Sequence, residues 1–355
     1  NAPSLADVVK MVHPKPAEAW REAFFAWLIG KAYDVQALPP LVKAFEAYKA
    51  DRSQPLPNVP FQMLTALELS DQAWAQIARQ SGWQMLRMNL NTFARHGVYS
   101  LPGMTASIAE KLRDADAIAK AMVFPYQLMA AYAAANQEIP MEISEALQDA
   151  MEIALNNVPE IAGRVVVCPD VSGSMHSSAT GYRGSATSAI RCIDVAALMA
   201  AAMLRKNPGT LVLPFENDVV ACNVNPRDSV MTNASKLASI GGGGTDCSAP
   251  LAQLNKKKAK ADLVIFVSDN ESWVDAKRSG ATATMREWEI FKQRNPNARL
   301  ACIDITPYDT TQAVERADIL NIGGFSDDIF QIVADFAAGQ LSSAHWVGEI
   351  QSIVI

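Results

Sequence analysis

The segment Val165–Met175 (VVVCPDVSGSM) runs an apolar stretch directly into three small oxygen-bearing side chains at alternate positions, Asp170, Ser172 and Ser174. Three chemistries are open to such a loop: a cation site, an activated serine, or a turn whose polar groups cap the next helix. Two further loops carry similar donors. Gly241–Asp246 (GGGGTD) offers Thr245 and Asp246 after four glycines, and Ser268–Glu271 (SDNE) offers Asp269 after the apolar run Asp262–Val267 (DLVIFV). Asp170, Ser172, Ser174, Thr245 and Asp269 together supply carboxylates and hydroxyls, with no His or Cys. Hard oxygen donors favour Mg²⁺ or Mn²⁺ over zinc. With so many neutral hydroxyls, the ion would keep positive charge and an open position for an acidic group of a partner.

The competing chemistries are less well supported. Gly-x-Ser-x-Gly is absent, because Asp170 stands two residues before Ser172. Of the four histidines (His13, His96, His176, His345) only His176 is close in sequence, and nothing visible orients it. The glycine run lacks the Gly-Lys-Ser/Thr of a phosphate-binding loop. A hydrolase working through a metal-activated water would need a general base that the sequence does not display. For the first loop alone, helix capping and cation binding are evenly balanced. Thr245 and Asp269 at matching loops move the expectation to a cation.

The elements that must position these loops begin at Gly163. Arg164–Cys168, Thr210–Phe215, Val219–Ala221, Asp262–Val267, Arg299–Ile303 and Ile319–Ile322 read as short apolar strands. Between them lie helical stretches at Ala189–Lys206, Ser229–Ser239, Ala249–Lys260, Thr284–Arg294 and Asp327–Phe336. All-apolar strands alternating with helices predict a mostly parallel sheet covered on both faces, with its ligand site at the carboxyl ends of the strands.

Residues 1–160 follow a different period. Amphipathic helices are expected at Ala17–Ala32, Pro39–Ala50, Asp71–Gln80, Trp83–His96, Thr105–Arg113, Pro125–Asn136 and Met141–Asn157, separated by Pro and Gly breakers. Trp20, Phe24 and Trp27 fall on one stripe and are expected in the core. The whole predicts an α-solenoid or irregular helical array over 1–160, with HEAT-like repeats as its expected form, an α/β domain over 161–340 and a tail at 341–355.

Composition narrows the class. The chain has 355 residues, half of them apolar, and a net charge of −6, so RNA binding would need a local concentration of Lys and Arg. Five scattered cysteines without a C-x-x-C pair point to a reducing, cytoplasmic setting rather than zinc or disulfides. No apolar run approaches the roughly 18 residues of a membrane span. The opening NAPSLADVVK has neither an initiator Met nor the order of a signal peptide, so a trimmed piece of a soluble protein is expected.

The three-loop set resembles the metal-ion-dependent adhesion site of von Willebrand factor A domains. GGTDCSAPL (Gly243–Leu251), FVSDNESW (Phe266–Trp273) and LNIGGFSDDIFQIVADF (Leu320–Phe336) resemble the Ro ribonucleoprotein family more specifically. GWQMLRMNLNTFARHGVY (Gly82–Tyr99) and FPYQLMAAYAAA (Phe124–Ala135) are similar to its TROVE module, a ring of helical repeats whose early part is expected to be missing here. MVHPKP (Met11–Pro16) is similar to a segment of that ring. The resemblance implies a non-catalytic RNA-binding scaffold that holds Y RNA or Y-like RNA on the ring and admits 3′ ends of misfolded RNAs. For bacterial relatives it implies links to RNA decay and repair, including a tether to polynucleotide phosphorylase.

Candidate RNA contacts are His13 and Lys15 on a Pro-bordered loop, together with Arg87, Asn91, Arg95 and His96. Arg87, Asn91 and Arg95 would share one helical face at i, i+4 and i+8. The run Lys256-Lys257-Lys258-x-Lys260 ends a helix, where cations satisfy the dipole, so the expectation there is a structural one.

Overall fold

The structure is a computed structural model that describes residues 3–135, 137–179, 190–269, 283–306, 313, 316–326 and 328–341. Asn270 and Glu271 of the third loop, and the tail beyond Leu341, lie outside the described residues. The chain divides into two compact units, residues 1–81 with 92–104, and residues 82–91 with 105–355.

The first unit is helical. Its longer helices are Leu5–Val12, Ala19–Leu28, Pro40–Ala50 and Asp71–Gln80. Trp74 anchors it, meeting Phe61 and Phe93 edge-on at 5.8 and 6.3 Å and stacking on His96 at 5.0 Å. Phe24 and Trp27 stack at 5.7 Å, but both are half-buried and not in the core expected of them. Trp20 departs from that expectation: it stands in the first turn of its helix, is 47% exposed, and carries the Arg21 guanidinium over its ring.

The second unit is built on a parallel five-stranded sheet. Its strands are β1 (Val165–Pro169), β2 (Leu211–Val212), β3 (Leu263–Ser268), β4 (Arg299–Asp304) and β5 (Ile319–Gly323), in the order β2-β1-β3-β4-β5. β1 and β3 are buried at every position, as runs of Val, Ile and Phe covered on both faces must be. Leu251, Leu254, Trp288 and Phe291 from helices Ala249–Lys256 and Ala283–Arg294 pack on one face against Val166, Cys168, Val264, Phe266 and Leu300. The other face takes the alanine-rich helix Cys192–Lys206, buried along nearly its whole length.

Helices upstream of the sheet belong to the same unit. Pro125–Ala134 packs on Cys192–Lys206, and Met141–Ala154 packs on Val230–Ala238. Phe124 stacks on Phe330 at 5.9 Å, and Glu152 accepts from the Val230 N–H at 2.6 Å.

Three element predictions need correction. The single helix over Trp83–His96 is two, Trp83–Met88 and Leu90–Arg95, because the Asn89 side chain donates back to the Met85 carbonyl at 2.8 Å and ends the first. The strand over Thr210–Phe215 is regular only at Leu211–Val212, although Leu213 and Phe215 still donate to Val167 and Pro169, and Pro214 sits on this edge strand where its missing N–H would point away from β1. Val219–Ala221 forms no strand, only a bridge from Val219 to Phe215. Among the described residues, no helix is long and apolar enough to cross a membrane.

Candidate metal centre

The parallel register brings the first and third loops side by side. Pro169 pairs with Val267, so Asp170 emerges beside Ser268, and its N–H donates to the Val267 carbonyl at 2.9 Å. β1 ends at Pro169, which leaves Asp170 as the first polar side chain past the strand. Asp170 is fully buried; its Oδ1 accepts from the Ser172 N–H at 2.8 Å and its Oδ2 from the Ser268 hydroxyl at 2.7 Å. The Ser172 and Ser174 hydroxyls lie 3.2 Å apart. Asp269 follows Ser268 directly and is also buried, as is Thr245.

The glycine loop is drawn onto the first loop through its backbone. Gly173 donates to the Gly243 carbonyl at 2.9 Å. Gly241 has φ 120°, and a Cβ there would stand 1.9 Å from the Val171 carbonyl oxygen. Only glycine permits that approach. Glu216 holds the loop from the other side, its Oε2 accepting from the Gly243 N–H at 2.8 Å and its carbonyl from the Asp246 N–H at 2.8 Å. Asp246 has a separate job, accepting from the Ser248 N–H and hydroxyl just before helix Ala249–Lys256.

Burial pushes the Asp170 carboxyl up to about 6, the nearby Asp269 charge adds to the rise, and the bonds from Ser172 and Ser268 partly offset it. No Lys or Arg ion pair relieves Asp170 among the described residues. The buried Asp170 carboxylate, with the Asp269 charge and the Ser268 hydroxyl against it and no Lys or Arg ion pair among the described residues, matches what a hard divalent cation would neutralise. The donor set therefore fits Mg²⁺ or Mn²⁺.

The capping alternative is not what the structure contains. Among the described residues the next α-helix starts at Cys192, and the short 3₁₀ turn Ser174–His176 has no side-chain cap. His176 Nδ1 accepts from Arg191 Nη1 at 3.0 Å, and Arg191 is paired with Asp194 at 2.7 Å, so His176 serves that pair rather than a serine. Ser268 is the site residue that motif spacing overlooks. The signal for it is its place as the last residue of a fully buried strand.

The candidate RNA residues are divided between the units. In the first unit His13 ends helix Leu5–Val12 in the left-handed region (φ 47°), and His13, Lys15 and Arg95 are exposed. His96 lies on Trp74, with its Nδ1 3.0 Å from Asp71 Oδ1. In the second unit Arg87 donates to the Gln127 carbonyl at 2.9 Å and to Gln84 Oε1 at 3.0 Å, and Asn91 donates to the Ala134 carbonyl at 2.8 Å. Arg87 and Asn91 stand on two short helices, on either side of the break at Asn89.

Comparison with known proteins completes the picture. Residues 164–337 match the family model of the Ro60 vWA domain. The chain is 24% identical over 361 residues to the RNA-binding protein RO60 of Deinococcus radiodurans, covering 95% of this chain and 66% of that protein. It is 25% identical over 254 residues to the RNA-binding protein RO60 of Caenorhabditis elegans, covering 66% of this chain and 37% of that protein. The chain thus spans slightly under two thirds of the length of the first relative. The crystal structure of the Deinococcus radiodurans RO (RSR) protein superposes with a TM-score of 0.72 at 21% identity, over 96% of this chain and 71% of that one. The chain is a member of the Ro family, with its Ro60-type von Willebrand A domain at residues 164–337.

Proposed function

We propose that the chain is a non-catalytic RNA-binding scaffold of the Ro type, which binds Y RNA or Y-like noncoding RNA and the 3′ ends of misfolded RNA in the cytoplasm. The observation that carries this is the alignment of 95% of the chain, helical part included, with a protein named for RNA binding. His13, Lys15 and Arg95 are exposed and available to phosphates, whereas Arg87 and Asn91 already hold backbone carbonyls. Mg²⁺ or Mn²⁺ at the A domain would be held by the hydroxyls of Ser172, Ser174 and Thr245, with Asp170 and Asp269 supplying charge directly or through water. An acidic group of an RNA-processing protein, such as polynucleotide phosphorylase, would complete the shell. Crosslinking in cells followed by sequencing of the attached RNA tests the proposal. Recovery of one or a few structured noncoding RNAs is the expected result, and recovery of none refutes it.

The buried Asp170, ion-paired to no Lys or Arg among the described residues, favours a second reading, a metal-dependent module that recruits an acidic protein without touching RNA. A nuclease-insensitive complex that dissolves in EDTA and contains no RNA would select it.

A further inference from the structure

We infer that Lys256, Lys257 and Lys258 form a phosphate-binding edge on the A domain, which takes the backbone of the RNA and lies at the end of the sheet opposite the candidate metal centre. The inference rests on the RNA-binding reading above and adds a surface to it.

The first observation is charge accounting. Many basic side chains of this unit are already neutralised: Arg113 by Asp149, Arg164 by Asp262, Arg191 by Asp194, Arg205 by Glu152, Lys236 by Asp228, Lys292 and Arg316 by Asp318. Lys256, Lys257 and Lys258 are exposed and, among the described residues, no carboxylate stands within ion-pair distance of them. In a chain of net charge −6, three adjacent unneutralised ammonium groups are a local exception. Lys260 is different, because its ammonium donates to the Arg294 carbonyl at the end of helix Ala283–Arg294.

The second observation is the backbone. Lys258 has φ 51°, the left-handed conformation that Gly normally supplies after a helix. Its N–H donates to the Asn255 carbonyl at 3.0 Å, and that of Ala259 to Leu254 at 2.9 Å, so the helix end is closed by main-chain bonds. The lysine side chains are therefore not needed to satisfy those carbonyls. A charged residue stands where glycine would fold more easily. The segment Asn255–Asp262 (NKKKAKAD) contains no large apolar side chain, which suits a phosphate backbone and not the desolvated anchors of a protein interface.

Placement supports a separate surface. The lysines precede β3, whose six residues rise roughly 3.3 Å each, which sets them on the order of 17 Å or more from Asp269 at its other end.

The test compares binding of a labelled oligouridylate by the full chain with that of the triple variant Lys256→Gln, Lys257→Gln, Lys258→Gln over a salt series. Loss of three single-strand phosphate contacts should flatten the slope of log affinity against log salt by about 2, with affinity down on the order of tenfold or more at low salt. A charge-matched variant at Lys120, Lys206 and Arg227 should retain most of the wild-type slope. Lys258→Gly separates charge from folding: its melting temperature should hold or rise while the slope flattens by about 0.7. Equal slopes for wild type and the triple variant, or equal losses from both triple variants, overturn the inference and leave RNA binding by the chain intact. No binding by the wild type overturns both. A triple variant that keeps its RNA affinity but loses an acidic protein partner would overturn it too, and assign the edge to that partner instead.

Discussion

Replacing Asp170 by Asn should stabilise the metal-free protein at neutral pH while abolishing its affinity for a divalent cation. The carboxyl sits at about 6 in the folded chain, against 3.8 when free in solution, because it is buried next to Asp269. A rise of about two units corresponds to about 3 kcal/mol at about 1.36 kcal/mol per unit. The sign follows from proton binding. Between pH 3.8 and about 6 the folded state holds more protons at this site than the unfolded state, so its contribution to stability falls as pH rises through that window. Above it, the folded chain carries the full cost of a buried charge. Asn removes the charge and keeps both bonds, since its carbonyl can accept from Ser172 N and its amide can donate to the Ser268 hydroxyl. Urea unfolding in EDTA should therefore show the Asn variant up to about 3 kcal/mol more stable at pH 7.5, with the gap closing towards pH 4. Adding Mg²⁺ should raise the stability of the wild type alone, by mass action. A variant less stable than wild type at pH 7.5 in EDTA, or a gap that does not change with pH, would refute the reasoning.

Three other substitutions and one truncation probe the same framework. Ser268→Ala removes the hydroxyl that orients Asp170 and should weaken Mn²⁺ binding by calorimetry about tenfold or more, with Thr restoring it. Gly241→Ala would place a Cβ 1.9 Å from a carbonyl oxygen in a left-handed conformation, so a loss of about 3 kcal/mol or more is expected in denaturant unfolding, with the cation site lost too. Phe330→Ala removes a fully buried ring stacked on Phe124 and should cost about 3–5 kcal/mol, read from the urea midpoint. A fragment of residues 161–341, deprived of Phe124 beneath that ring and of Glu152 on Val230, should unfold at lower urea than a fragment starting at 105.

Much of the α/β domain could be read directly from residue order. RVVVC and DLVIFV are too apolar and too β-branched for anything but buried strands, and both are strands in the structure. The helical half was legible in the rough position of its main helices, because breakers such as Pro39-Pro40 and Pro140 punctuate it, but the helices Leu5–Val12, Phe61–Leu64 and Ala115–Lys120 went unread. It failed where one side chain redirects the backbone, as Asn89 does. It failed again at Trp20, whose burial depends on what covers the first turn of its helix.

Residue types and spacing alone determined that Asp170, Ser172, Ser174, Thr245 and Asp269 are hard oxygen donors in loops beside strands, and that a helical array precedes a parallel sheet. Tertiary structure decided how those donors behave. Ser268, 98 residues along the chain, binds Asp170 only because β1 and β3 are neighbours in parallel register. Asp170 is hard to ionise chiefly because packed strands and helices exclude water around it, with the Asp269 charge adding to the effect. Arg87 and Asn91 look like free polar groups in sequence, yet each is held by a carbonyl 40 or 43 positions away. Hydrogen bonding, burial and the local dielectric depend on neighbours brought together by folding, and those neighbours are distant in sequence.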